Sequence, residues 1–190
     1  IGVNRNCHLA GNGKYLPQSN TASWLATIER PSTDKFELNE KGISIGIFEE
    51  FSKTVDKFSN FKNLHCQISI QASIFAQEKK FSDVLVLNSN HEIIESTYSN
   101  VFLVKDGALY TPKLSAGPVG GVMRAAVINL AIELGVKVYE CNLHAQELLK
   151  ADEVFLTNAV SGIQWVASYR TKRYFNNTAN TLLKAFNSRI

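Results

Sequence analysis

Between His91 and Pro112 the chain reads HEIIESTYSNVFLVKDGALYTP, and this stretch constrains the fold more than any other. β-Branched and aromatic side chains run from His91 to Val104. Lys105-Asp106-Gly107 has the composition of a tight hairpin turn, and Ala108 to Thr111 begins a return strand. The pattern predicts two strands around a turn. Glu95 stands among Ile93, Ile94, Thr97 and Val101. A carboxylate set among apolar strand neighbours is costly unless a cation or a strong donor faces it, so Glu95 is a site candidate.

The flanking sequence alternates between the two periodicities. Ser23 to Glu29 and Gly42 to Phe48 read as strands separated by the turn-forming Pro31-Ser32-Thr33-Asp34, and Glu49 to Lys57 as a connecting segment. Cys66 to Lys80 fits a helix, and Asp83 to Asn88 a short apolar strand. Gly121 to Leu134 carries the clearest helical stripe, with Gly135 as its stop. Strands follow at Lys137 to Cys141, Val154 to Asn158 and Ile163 to Tyr169, with helices at Ala145 to Lys150 and Asn177 to Asn187. The sum is an α+β chain without internal repeats.

Composition removes several function classes. A net charge of +3, evenly spread, gives no footprint for nucleic acid, and Lys172, Arg173 and Lys184 read as a solvated face. Three cysteines, Cys7, Cys66 and Cys141, show no C-x-x-C spacing, which argues against a disulfide framework or a metal site and for a reducing cytoplasm. No run of 18 apolar residues and no leader pattern occurs. With 190 residues, an opening Ile1 and Met123 as the sole methionine, the sequence reads as the C-terminal part of something longer.

The string ESTYSNVFLVKDGALYTP resembles the central signature of the class IV aminotransferases, the fold-type-IV pyridoxal-phosphate enzymes that include aminodeoxychorismate lyases. The likeness runs from about Phe61 to the region of Asn158 to Val166. It implies a large C-terminal domain over residues 60–190, a β-barrel-like sheet with flanking helices. Residues 1–59 would be the tail of an N-terminal α/β domain and its linker. The cofactor implied is pyridoxal 5'-phosphate, the substrate a small amino-acid-like molecule, and the assembly a homodimer.

Residue by residue, the resemblance makes Lys62 the catalytic lysine, which forms the Schiff base and shuttles protons; read alone, it is one of several surface lysines. Glu95 becomes the partner of the cofactor's ring nitrogen. Gly120-Gly121-Val122-Met123 leads straight into a helix, where backbone N–H groups converge as at other anion sites. Gly121, Val122 and Met123 would hold the phosphate there, with Arg124 at the family's arginine position. A second phosphate- and substrate-facing turn, LTNAVSGI from Leu156 to Ile163, offers Asn158 and Ala159; Thr157, Asn158 or the backbone at Ala159 and Val160 could substitute for the missing hydroxyl, and Asn158 is the side chain the reading favours.

The departures bear on substrate. His65 and Cys66 stand where relatives often carry Asn and Tyr; His65 is either a contact to cofactor or substrate or a structural residue. Met123 and Ala159 each replace a hydroxyl residue. The R-x-H element that D-amino-acid aminotransferases use for the substrate carboxylate is absent, and Asn12-Gly13-Lys14 stands there. Lys14 is then a carboxylate partner or a solvated turn lysine. The TNAVSGI and GPVGGVMR segments lean toward an aminodeoxychorismate-lyase-like enzyme that releases pyruvate and gives p-aminobenzoate. A branched-chain-type aminotransferase is the alternative, and a non-catalytic fragment the third reading.

Overall fold

The computed structural model describes residues 2–5, 22–28, 34–64 and 66–190. Lys14 and His65 therefore lie outside the described residues. The chain forms two compact units, residues 1–34 and 35–190. In the first, β1 (Gly2–Arg5) and β2 (Ala22–Leu25) pair antiparallel with Gly2 opposite Leu25.

The second unit comprises β3 (Ile43–Lys53), α1 (Gln67–Glu78), β4 (Asp83–Asn88), β5 (Ile93–Ser96), β6 (Asn100–Lys105), β7 (Ala108–Pro112), α2 (Val122–Glu133), β8 (Val138–Cys141), α3 (Ala145–Lys150), β9 (Glu153–Asn158), β10 (Gly162–Tyr169), β11 (Lys172–Arg173) and α4 (Asn177–Asn187). Its strands form one mixed sheet in the order β5-β4-β3-β10-β9-β6-β7-β8, with β11 beside β10. Residues 35–59, expected with the linker, contribute β3 to this sheet, where it pairs parallel with both β4 and β10.

The sheet curls on itself. β5 and β8 are at opposite ends of the strand order, yet the Ile93 N–H donates to the carbonyl of Leu143, just after β8, at 2.7 Å. Side-chain alternation fills both faces. Leu85, Val101, Leu103, Val154, Leu156 and Val166 point into the curl. Phe102, Phe155 and Ile163 face α2 and α4 together with Met123, Val127, Leu130, Leu182 and Leu183. Val84 and Val86 pack with Phe48 against Ala72 and Ala76 of α1. Because helices cover the outer face, DVLVLN is buried throughout, which explains its unbroken apolar run. The expected barrel-like sheet with flanking helices is what the structure shows.

Three local readings change. The strand expected from His91 to Val104 is two strands, because the chain turns at Thr97-Tyr98-Ser99. Ser96 N–H donates to the Ser99 carbonyl at 2.7 Å and Ser99 N–H to Ser96 Oγ at 3.1 Å. Hydroxyl residues here give the backbone an alternative to the ladder. β5 then pairs with β4, while β6 pairs with β7 and β9. β3 extends to Lys53, beyond the expected Phe48, across a register shift against β4. No strand was expected at Lys172 and Arg173, which form β11 against β10, while Arg173 stays exposed as a solvated face requires. The β6–β7 hairpin is as expected, with Asp106 (φ 50°) and Gly107 (φ 73°) both left-handed, the twist that suits a two-residue turn.

Candidate functional site

The turn at 97–99, the end of β9 and the N-terminus of α2 surround a cavity of about 640 Å³ that also takes in Asn60-Phe61-Lys62. Lys62, Glu95, Gly121, Val122, Met123, Asn158 and Ala159 all line it. Residues distant in sequence are thus brought to one place by the crossing of β5, β6 and β9.

Lys62 is exposed to the cavity, and its ammonium pairs with no described residue. The segment before it is pinned. Asn60 Nδ2 donates to the carbonyls of Leu114 (2.8 Å) and Pro118 (2.6 Å), and the Asn60 carbonyl accepts from Gly120 N–H at 2.8 Å. Cys66 caps α1 without a side-chain bond, is exposed, and is not among the cavity-lining residues.

Glu95 is 8% exposed. Its Oε1 lies 2.7 Å from Lys53 Nζ, and its Oε2 accepts from Val119 N–H at 2.7 Å. The cation and the donor that a carboxylate in this setting requires are therefore both present.

Gly121 caps α2 with extended backbone and no side-chain bond, which leaves the first-turn N–H groups of a twelve-residue helix open toward the cavity. A Cβ at Gly121 would collide with Asn100 Oδ1, and Asn100 is itself fixed by donating from Nδ2 to the Val119 carbonyl at 2.7 Å. Glycine is required here by close approach. The Val122 side chain points to solvent while Met123 is buried in the core. Arg124 turns away from the cavity and braces α2, donating from Nη2 to the Pro112 carbonyl (2.9 Å) and to Glu140 Oε2 (2.6 Å).

At the second turn, both ends of the Asn158 amide are engaged. Nδ2 donates to Ser99 Oγ at 2.9 Å, and Oδ1 accepts from Val160 N–H (2.9 Å) and Ser161 N–H (2.7 Å). Asn158 shapes the turn. The free group is the neighbouring Thr157 hydroxyl, fully buried and without a hydrogen-bond partner among the described residues. Thr157 sits across from Asn100 in the β6–β9 ladder and lines the same cavity.

Sequence reasoning missed Lys53, Asn60, Asn100, Tyr98 and Asp83. Asp83 is 1% exposed, and burial pushes its carboxyl above the ordinary range although Val84 N–H, Thr97 N–H and Thr97 Oγ1 donate to Oδ1. It holds the 97–99 turn from behind. Tyr98 lines the cavity half-exposed, its phenol pushed up by burial and by the charge of Asp83. The signal available for these residues was weak: polar side chains at strand ends resemble solvent-facing ones.

The profile of the amino-transferase class IV family matches residues 4–169. The chain is similar to a probable branched-chain-amino-acid aminotransferase of Thermotoga maritima, 41% identical over 93 residues, 49% of this chain and 34% of that protein. It is also similar to the aminodeoxychorismate lyase of Vibrio harveyi, 29% identical over 165 residues, 86% of this chain and 59% of that protein. Among solved structures, the branched-chain amino acid aminotransferase from Escherichia coli superposes with a TM-score of 0.72 at 27% identity, over 77% of this chain and 52% of that one. The chain thus spans less than two thirds of the length of each. With the profile covering most of its length, the chain belongs to the amino-transferase class IV family.

Proposed function

We propose that this chain builds the greater part of a pyridoxal 5'-phosphate site, and that the whole protein is an enzyme acting on a small amino-acid-like substrate. The observation that carries the reading is the convergence of Lys62, Glu95, the open N-terminus of α2 and the Thr157 turn on one cavity. The residues fit the cofactor. A buried hydroxyl with no partner among the described residues and a helix start without a side-chain cap supply donors for a phosphate. Each oxygen of Glu95 accepts one bond and keeps a further lone pair for an N–H donor.

Bound in this site, pyridoxal phosphate supplies an electron sink for the bonds at the substrate's α-carbon. The chain's own residues do the rest. Glu95 would hold the ring nitrogen, and the N–H groups of Val122 and Met123 with Thr157 Oγ1 would hold the phosphate. Lys62, whose Nζ pairs with no described residue, would be the group that moves protons there.

For the reaction, lyase chemistry that releases pyruvate to give p-aminobenzoate is the first choice, since the match to the lyase of Vibrio harveyi runs over 86% of the chain. Amino transfer to a 2-oxo acid is the second, supported by the higher identity to the Thermotoga maritima protein over a shorter stretch. A homodimer is supported by the exposed apolar rim of Phe61, Val122 and Val160. Cytoplasmic placement is supported by the free thiols of Cys66 and Cys141. Among the described residues no helix is long and apolar enough to cross a membrane.

The test is the visible absorption spectrum after addition of pyridoxal phosphate, beside Lys62→Ala. A band that survives dialysis in the parent and is missing from the variant is the expected result. A parent without any such band sinks the reading. Turnover on aminodeoxychorismate against turnover on an amino acid plus 2-oxoglutarate then separates the two reactions.

A further inference from the structure

Lys53 lies at the end of β3, past the register shift that follows Phe48, where it pairs with Asn88 rather than continuing the regular ladder. A lysine at a strand end ordinarily reaches for water, but this one is turned inward, its side chain 21% exposed. Nζ donates to Glu95 Oε1 at 2.7 Å and to the Ser59 carbonyl at 3.1 Å. The two acceptors belong to different parts of the site. Glu95 sits on β5 in the cavity wall, whereas Ser59 opens the segment Asn60-Phe61-Lys62 that carries the lysine amine. The Ser59 turn is rigid in its own right, since its hydroxyl accepts from Asp56 N–H at 2.7 Å and donates to the Thr54 carbonyl at 3.2 Å. Lys53 itself does not line the cavity, so anything it does there passes through these two partners.

We infer that Lys53 is a positioning residue for Glu95. Its ammonium fixes the orientation of the carboxylate and ties it to the segment that bears Lys62. This rests on the cofactor reading above only for the identity of what Glu95 would face. Without Lys53, a carboxylate almost removed from solvent keeps a single donor, Val119 N–H, and is free to rotate off it. With Lys53, each oxygen has its own donor, one from the loop leading to α2 and one from β3. A single-headed ammonium leaves more of the carboxylate's acceptor capacity open than a two-pronged guanidinium would.

The inference is tested first without any cofactor, by amide hydrogen exchange at Val119, whose N–H reports the Glu95 carboxylate directly. Lys53→Gln, which keeps a donor for the Ser59 carbonyl but removes the charge, should speed exchange at Val119 by about tenfold or more, and Lys53→Arg should restore most of the protection. Lys53→Met serves the same purpose if Lys53→Gln does not fold. Exchange at Val119 unchanged in the folded variant overturns the inference. The second readout is pyridoxal phosphate titration followed by absorbance. Lys53→Gln should weaken binding about tenfold, Lys53→Arg should bind within about threefold of the parent, and Lys53→Gln should cost little more when added to Glu95→Gln. Fully additive losses would mean that Lys53 acts by another route and overturn the inference. Absence of binding in the parent, or binding unaffected by Glu95→Gln, strikes instead at the cofactor reading and leaves the Val119 exchange to decide on Lys53.

Discussion

Helices α2 and α4 lie on the same face of the sheet and pack against the same core cluster, yet their N-termini are finished in opposite ways. At α4 the Glu153 carboxylate accepts from Thr178 N–H (2.8 Å), Thr178 Oγ1 (3.0 Å) and Ala179 N–H (3.2 Å), so the first turn is satisfied by the protein itself. At α2 the cap is glycine, which makes no side-chain cap bond, and the buried Thr157 hydroxyl that lines the same cavity has no partner among the described residues. A helix start costs stability when its donors go unmet. One helix settles that cost internally, and at the other the first-turn donors stay open toward the cavity, where the proposed function puts a phosphate. The difference separates residues that make the fold from residues that make the site.

The comparison can be broken most decisively at Glu153. Glu153→Ala strips a buried acceptor from the donors of α4 and should lower unfolding stability by about 3 kcal/mol in urea titration, with the folded fraction still binding pyridoxal phosphate as the parent does. A comparable loss of affinity in that variant would mean the two helix ends are not separable. Gly121→Ala is the mirror experiment. Its Cβ displaces Asn100, and through the Asn100–Val119 bond it disturbs the loop that holds Glu95. Binding should fall by more than about tenfold, while stability changes by about 1 kcal/mol.

Thr157→Val sharpens the contrast, because the two readouts should move in opposite directions. Removing a hydroxyl that has no partner leaves the fold equally stable or more stable by up to about 1 kcal/mol, while affinity for the phosphate group falls by a similar amount. A stability loss without an affinity loss would return Thr157 to the core. The smallest expected effect concerns Asp83. Burial, the largest influence, holds its folded-state pKa above the ordinary 3.8, so the folded protein holds this proton more tightly than the unfolded chain. The associated stability is fully present below that ordinary value and is lost as pH rises through the folded-state pKa. Unfolding free energy measured across acidic to neutral pH should show this decline, and Asp83→Asn should flatten it.

Much of the fold could be read from the chain because local signals and packing agree. Ala145–Lys150 and Asn177–Asn187 appear with the expected bounds, and α2 stops at its glycine, Gly135 (φ 77°). Strands buried on both faces, such as β4 and β9, show as short apolar runs between turn residues. The break at Thr97-Tyr98-Ser99 was invisible for the opposite reason. Thr97 and Tyr98 favour strands by type, and the contacts that turn the chain there, Thr97 Oγ1 to Asp83 and Ser99 N–H to Ser96 Oγ, are made only on folding. At the site, the lysine, the glutamate and the two turns stood out through motif order. Lys53 did not, since nothing in the sequence says that a strand-end lysine points inward. Nor does the sequence say that Asn158 spends both ends of its amide on the turn while the Thr157 hydroxyl, facing the cavity, has no partner among the described residues.

The seam between Ile93 and Leu143 has a consequence in time. Both residues belong to the curled sheet's inner core, but the second follows the first by several strands and a helix. Contacts of such wide sequence separation form late, after local helices and hairpins. β5, which bears Glu95, is held on one side by β4 and on the other by this seam. The carboxylate therefore reaches its final place only when the ring of strands shuts. A chain arrested before β8 would carry the signature sequence that drew attention first, and would still lack the site.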